Sequence, residues 1–131
     1  MSVSEREIIR KETSHYFKDN FEFDGKMNRY CLMIYTPDDV KSYYLILSTH
    51  NGYAFEYYQR FPKENYLLSQ KKCPGLPKTS CINLRDIYEE IPPGFCTTVV
   101  PDDEYKKIVR KFKEFQSYKP DNLYKKISEH I

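Results

Sequence analysis

Hydrophobic positions follow a helical spacing at both ends of the chain and a β-like pattern in the middle. Ser4 and Glu7 fit a capping box, and apolar residues follow at helical spacing, so an amphipathic helix is predicted over residues 5–18. Apolar runs at residues 29–36 and 41–48 flank a proline-containing turn. Together they predict a β-hairpin.

The central pattern continues as a series of short elements. Asn51-Gly52 is a strong signal for a tight turn between β-strands. Lys71–Pro77 has the Lys, Pro and Gly content of a polar loop. The remaining segments predict a loop or short strand at residues 21–28, strands at residues 53–60, 65–69, 79–83 and 95–100, and a helical turn at residues 84–90.

Two helices are predicted at the C-terminal end. Asp102 or Asp103 can cap the first helix, Pro120 ends it, and Asp121 can cap the second. The apolar faces comprise Tyr105, Ile108, Val109, Phe112 and Phe115 in the first helix, and Leu123, Tyr124, Ile127 and Ile131 in the second. We therefore expect an α+β fold, a small and strongly curved antiparallel β-barrel with an N-terminal helix and C-terminal helices, as a single domain over residues 1–131.

Composition excludes several classes of protein. The 131 residues carry a formal charge of only +2, and the charged start has no apolar signal-peptide core, so we expect a cytoplasmic protein. The sequence contains no Walker, dinucleotide-binding, zinc-protease or nucleophile-elbow motif. This argues against the nucleotide-binding proteins, zinc proteases and hydrolases that those motifs identify. The four cysteines form no C-x-x-C pair. They predict structural thiols, with no metal site and no cofactor.

Two features of composition are compatible with RNA binding. The chain has 13 Tyr and 8 Phe but no Trp, and some of these rings could stack on unpaired bases rather than fill the core. Residues 105–131 carry eight Lys or Arg against three Asp or Glu. That basic end is compatible with phosphate contacts, although an ordinary solvated helix face has the same pattern.

One group of polar residues could form an anion site. The predicted hairpin brings Arg29, at the start of its first strand, near Ser48 and Thr49, at the end of its second. A guanidinium beside hydroxyl groups suits a phosphate. The alternative is that Ser48 and Thr49 only end a strand and that Arg29 lies at its edge.

Several short motifs, read in order, resemble a known family. They are Asn28-Arg29 before the first long strand, Ile46-Leu47-Ser48-Thr49, Ile82-Asn83-Leu84 with Ile91-Pro92, and Pro101 to Lys106. From about Tyr16 to its end the chain resembles the endoribonuclease toxins of type III toxin–antitoxin systems, the ToxN/AbiQ group with its CptN and TenpN relatives, which have a MazF/Kid-like fold. The chain departs from the family at Ile46, where a Pro is usual, and at His50-Asn51, where Pro-Lys is common.

The resemblance implies a metal-independent nuclease that cuts RNA by attack of its own 2′-hydroxyl, leaving 2′,3′-cyclic phosphate and 5′-hydroxyl ends. It implies a repeated pseudoknot RNA antitoxin as partner, in a closed ring of protein and RNA, and cellular or phage RNA as substrate. Arg29, Ser48 and Thr49 would contact the phosphate, and His50 is our candidate for proton transfer. The RNA-binding candidates are Lys26, Tyr53, Tyr57, Lys78, Thr79, Ser80, Lys106, Lys107, Arg110 and Lys111.

Three other interpretations remain at this point. The first is a non-catalytic RNA- or DNA-binding module with an SH3-like barrel. The second is a MazF-like toxin with a protein antitoxin, against which the predicted N-terminal helix and Arg29-Tyr30 argue. The third is a protein-interaction domain that binds no nucleic acid, which the low net charge favours.

Overall fold

The computed structural model describes residues 4–18, 21–38, 41–90 and 95–131; for residues 11–18 and 21–29, Glu90 and Phe95 the description is of the backbone. Its strands are β1 (Glu7–Lys18), β2 (Phe21–Tyr35), β3 (Ser42–Ser48), β4 (Asn65–Leu68), β5 (Ser80–Asn83), β6 (Tyr88–Glu90) and β7 (Phe95–Val99). Its helices are α1 (Ala54–Arg60), α2 (Asp102–Tyr118) and α3 (Asn122–Ile127), with 3₁₀ turns at His50–Gly52 and Ser128–His130.

Within the described ranges, the seven strands form one antiparallel sheet that does not close. The strand order is β4-β5-β3-β2-β1-β7, and β6 pairs with the same edge of β3 as β5 does. β6 also approaches β1 without pairing with it, so the sheet curls strongly. The α+β class is confirmed, but the predicted closed barrel is wrong, because β4 and β7 are not paired with each other.

Both faces of the sheet are buried near its centre. Alternate residues of β3 point to opposite faces, so Leu45 and Leu47 belong to the larger core and Tyr44 and Ile46 to a smaller one. The apolar faces of α2 and α3 cover the larger core, as the sequence predicted. Phe112 of α2 lies there, 1% exposed, with its ring edge-on to Tyr124 at 5.5 Å.

The N-terminal helix predicted over residues 5–18 is wrong, because β1 occupies that segment. The capping contact exists, since the Ser4 N–H donates to the Glu7 carboxylate at 3.2 Å. It closes a turn rather than starting a helix, with Arg6 at φ 76°. Ile8 and Ile9 then point to opposite faces and are both fully buried, so a period of two replaces the period of a helix.

Two central predictions are also wrong. Residues 53–60 form α1 rather than a strand, because the His50–Gly52 turn leads into a helix whose Ala54 is buried. Residues 84–90 form a bend followed by β6, which pairs with β3, rather than a helical turn. The other predicted strands are confirmed to within one or two residues, except that β2 begins at Phe21 and includes residues 21–28, so Arg29 lies within the strand rather than at its start.

The C-terminal helices are confirmed, with one difference at the first cap. Asp121 caps α3 by accepting from the Leu123 N–H at 2.9 Å, as predicted. Pro101 is at the cap of α2, where no side chain bonds the backbone. Asp102, Asp103 and Glu104 instead lie in the first turn, where negative charge suits the helix dipole.

Two of the predicted features fall on residues that the structure does not describe. One residue of the predicted hairpin turn, Asp39, and the Ile91-Pro92 motif lie outside the described residues.

The cysteines are free thiols, three of them buried, with Cys96 exposed. No described helix is both long and apolar enough to cross a membrane.

A buried amide joins three elements of the fold. The Gln116 side chain, fully buried in α2, donates to the carbonyls of Leu84 at 2.7 Å and Arg85 at 3.1 Å. Its oxygen accepts the Asp121 N–H at 2.7 Å. This side chain therefore fixes the bend after β5 and the start of α3 against α2.

Gln116→Leu should lower the free energy of unfolding by about 3 kcal/mol, because backbone groups that Gln116 bonds would be left without partners. Urea unfolding measures the change. Ser117→Ala, next to it on the exposed side of α2, is the control and should change stability by less than about 0.5 kcal/mol. If Gln116→Leu and Ser117→Ala have the same free energy of unfolding, the Gln116 amide does not hold these elements together.

Candidate functional site

A cavity of about 320 Å³ opens where β3 ends against β5 and α1. We call it the His50 cavity. Its base is formed by Ile46 and Tyr88 of the smaller core. Its polar groups come from several different elements: Ser48, His50, Tyr57, Asn65, Cys81, Asn83 and Arg85.

The backbone at the rim of the cavity is in an unusual conformation. His50, Asn51 and Gly52 have φ values of 48°, 58° and 89°, so three successive residues are left-handed. Only Gly adopts this region freely, and Asn and His do so more readily than most residues. The turn is closed by hydrogen bonds from the Gly52 N–H to the Thr49 carbonyl and from the Tyr53 N–H to the His50 carbonyl.

This turn places the His50 imidazole flat against Tyr57 of α1. The ring centroids are 3.7 Å apart and the ring planes differ by 15°. Tyr57 in turn contacts Phe61 at 5.0 Å. The imidazole is thus held by a stack of rings at the cavity edge, and left-handed backbone and ring contact together limit its freedom.

Ser48 and Cys81 lie side by side on paired strands at the cavity wall. The Ser48 hydroxyl oxygen accepts the backbone N–H of His50 at 3.1 Å, which ties the end of β3 to the turn. The Cys81 thiol donates to the Ala54 carbonyl at 3.0 Å. Burial raises the pKa of this thiol to about 11, so it stays protonated at neutral pH and is a poor nucleophile.

Arg85 supplies the cationic group of the cavity. Its Nε donates to the Asn83 side-chain oxygen at 3.3 Å, and its terminal nitrogen lies 3.1 Å from the Glu64 carboxylate. The Leu84 N–H donates to the Glu64 carbonyl, and Gln116 bonds the carbonyls of Leu84 and Arg85. The guanidinium therefore projects from a bend whose backbone is held on two sides.

Of the residues predicted at the catalytic site, the structure brings Ser48 and His50 together. Thr49 is half-buried and is not among the described residues that line the cavity. Arg29 precedes Tyr30, the partner of Leu47, so its backbone lies in register beside Ser48. The side chains of Arg29 and Lys26 lie outside the described part of the chain.

The predicted RNA-binding residues are spread over several surfaces. Tyr57 lines the cavity, whereas Tyr53 is 66% exposed and lines none of the described cavities. Lys111 is directed toward the end of α1. The others lie away from the His50 cavity: Lys78 is exposed, Thr79 half-buried and Ser80 buried, and Lys106, Lys107 and Arg110 are exposed on α2.

Sequence reasoning missed Arg85, Asn65 and Asn83 as site residues. Asn83 belongs to the Ile-Asn-Leu motif, and a basic residue two positions later was a usable signal. The prediction of a helical turn at residues 84–90 hid it, since a helix would have directed Arg85 differently. No group of three or more His, Cys, Asp or Glu among the described residues is arranged to hold a metal ion.

The strained turn yields a test of its own. Asn51→Ala should lower the free energy of unfolding by about 1 kcal/mol, because Ala tolerates a φ of 58° poorly. Asn51→Gly is the matched control and should be as stable as the parent chain, since Gly adopts this conformation freely. Thermal and urea unfolding compare the variants, and an unchanged Asn51→Ala would contradict the left-handed turn.

No family model matches the chain, and no curated protein matches it significantly.

Proposed function

We propose that the protein is an endoribonuclease that cuts RNA without a metal ion. The observation that carries the proposal is the placement of the His50 imidazole and the Arg85 guanidinium on one small cavity with a Ser hydroxyl. Imidazole titrates near neutral pH and can move protons, and a guanidinium stabilises negative charge on phosphate oxygens. These are the groups that phosphodiester cleavage by an internal 2′-hydroxyl requires.

In the proposed reaction, the 2′-oxygen of a ribose bonds to the adjacent phosphorus and the bond from phosphorus to the 5′-oxygen breaks. The products are a 2′,3′-cyclic phosphate and a 5′-hydroxyl. The 2′-hydroxyl loses a proton and the leaving 5′-oxygen gains one; His50 carries out one of these two transfers and solvent water the other. Arg85 offsets the extra charge that the phosphorane carries in the transition state.

Neighbouring groups position His50 and offer further contacts to the phosphate. The Ser48 oxygen accepts the backbone N–H of His50, which leaves the Ser48 O–H able to donate to a phosphate oxygen. Tyr57 holds the imidazole by stacking. Arg29, whose backbone adjoins Ser48 in register, is a second candidate for phosphate contact.

The partner and the biological role rest on the family resemblance of the sequence motifs. By that resemblance, the protein is a toxin held inactive by a repeated pseudoknot RNA, in a ring of alternating protein and RNA units. Its substrates would be cellular or phage RNA. Phosphate contacts would dominate such an assembly, so its stability should fall steeply as salt rises.

His50→Asn should reduce the cleavage rate by about 10²- to 10⁴-fold, the usual contribution of a general acid or base. Asn accepts the left-handed backbone of position 50, so the variant should fold like the parent. Cleavage of a labelled RNA gives the rate, and circular dichroism checks the fold. A folded His50→Asn that cleaves at the parent rate would overturn the role of His50, and RNA binding without cleavage by the parent protein would leave the non-catalytic module.

Glu64→Gln should strengthen RNA binding by about 1.5- to 5-fold, because it releases the Arg85 guanidinium from an exposed ion pair. Glu129→Gln is the matched control, since it removes the same charge at an exposed position of the last 3₁₀ turn. KM and its salt dependence are measured for both. Equal effects of the two changes would show that net charge, rather than the Arg85 pair, determines binding.

A further inference from the structure

The His50 cavity shares a lining residue with a larger groove, which in turn shares residues with a third cavity. A groove of about 1090 Å³ lies between the segment after α1 and the C-terminal half of α2, and Arg85 lines both it and the His50 cavity. A third cavity of about 520 Å³ follows, and Pro62 and Lys111 line both it and the groove. We call these the central groove and the aromatic pocket.

The central groove has an excess of positive charge. Its cations are Lys63, Arg85, Lys111 and Lys119, against the carboxylates of Glu64 and Glu114. Tyr118 also lines it, with 89% of its surface exposed. A groove with basic residues and an exposed ring suits the sugar-phosphate backbone and bases of a single strand.

Lys111 lines both the central groove and the aromatic pocket, and its hydrogen-bond partners among the described residues are neutral. Its ammonium donates to the carbonyls of Pro62 and Asn65, each at 2.6 Å, and lies 3.4 Å from the Tyr58 hydroxyl. It also lies 4.8 Å from the centre of the Tyr58 ring. No carboxylate among the described residues forms an ion pair with Lys111, so its charge remains available to attract an anion.

The aromatic pocket is lined by three rings, those of Phe55, Tyr58 and Tyr66. Phe55 is 55% exposed, whereas Tyr66 is fixed by a hydrogen bond from its hydroxyl to the buried carboxylate of Glu104. Burial and this carboxylate raise the pKa of Tyr66 well above its ordinary value, so its ring stays neutral. Lys72 lies 3.8 Å from Glu104 and 5.3 Å from the Tyr66 ring centre. The pocket thus combines a neutral aromatic wall with a cation at its edge.

We infer that one strand of single-stranded RNA runs from the His50 cavity past Arg85, along the central groove, and places a base against Phe55 in the aromatic pocket. Arg85 lines both the His50 cavity and the central groove, and Lys111 lines both the central groove and the aromatic pocket, so these two cations mark the points where the strand passes from one cavity to the next. This inference rests on the proposed function, since it identifies the path of the RNA that the His50 cavity would cut.

The path predicts that affinity depends on RNA length. We would measure fluorescence anisotropy with fully 2′-O-methylated single strands of about 4 and about 16 nucleotides, which bind but cannot be cleaved. Phe55→Ala should weaken binding of the long strand by at least about fivefold, the lower limit for loss of one stacked base, and leave the short strand unchanged. Val99→Ala is the control, because Val99 is an exposed apolar side chain on β7 that lines none of the described cavities.

The outcomes separate this inference from the proposed function. Cleavage by the parent protein, with equal affinities of the parent and Phe55→Ala for the long strand, would overturn the path and leave the nuclease intact. Equal losses in Phe55→Ala and Val99→Ala would also overturn it, because exposed apolar surface in general would then explain binding. Failure of the parent protein to bind either strand or to cleave RNA would overturn the proposed function itself.

Discussion

The candidate site depends on the three hydrogen bonds of the Gln116 amide. This side chain, buried between α2 and the bend after β5, bonds the carbonyls of Leu84 and Arg85 and the N–H of Asp121. A buried amide with all these partners stabilises the fold, and the same amide without them would destabilise it. The bend that carries Arg85 is therefore as fixed as the helix against which it packs, which is what a preorganised phosphate site needs.

A second constraint on the candidate site is the backbone conformation of the turn at its edge. The left-handed turn at His50–Gly52 is unfavourable for His50 and Asn51, and such backbone strain is often found at functional sites. Here the turn has an evident result, since it brings the imidazole onto Tyr57 and toward the groups of β3 and β5. The proposed acid or base and the proposed anion contact are thus held by separate parts of the fold.

The sequence indicated some of these features and concealed others for physical reasons. The hairpin of β2 and β3 and the two C-terminal helices followed from local pattern, because each buries a regular apolar stripe. Asn51-Gly52 was recognised as a turn, yet its left-handed geometry leads into α1 rather than a second strand. Ile8 and Ile9 suited a helix by spacing, and only burial on both faces of the sheet showed a strand. The placement of Arg85 and Gln116 is determined by contacts between segments that are distant in sequence, and a local hydrophobic pattern cannot show such contacts.

The central claim is that the His50 cavity supports attack by the RNA's own 2′-hydroxyl. The most direct measurement is the chemistry of the product ends, by mass spectrometry, with an RNA substrate and with the same RNA carrying one 2′-deoxyribose at the cut site. We predict 2′,3′-cyclic phosphate and 5′-hydroxyl ends from the first substrate and no cut at that position in the second. Cleavage at the deoxyribose, or products with 3′-hydroxyl and 5′-phosphate ends, would contradict the account.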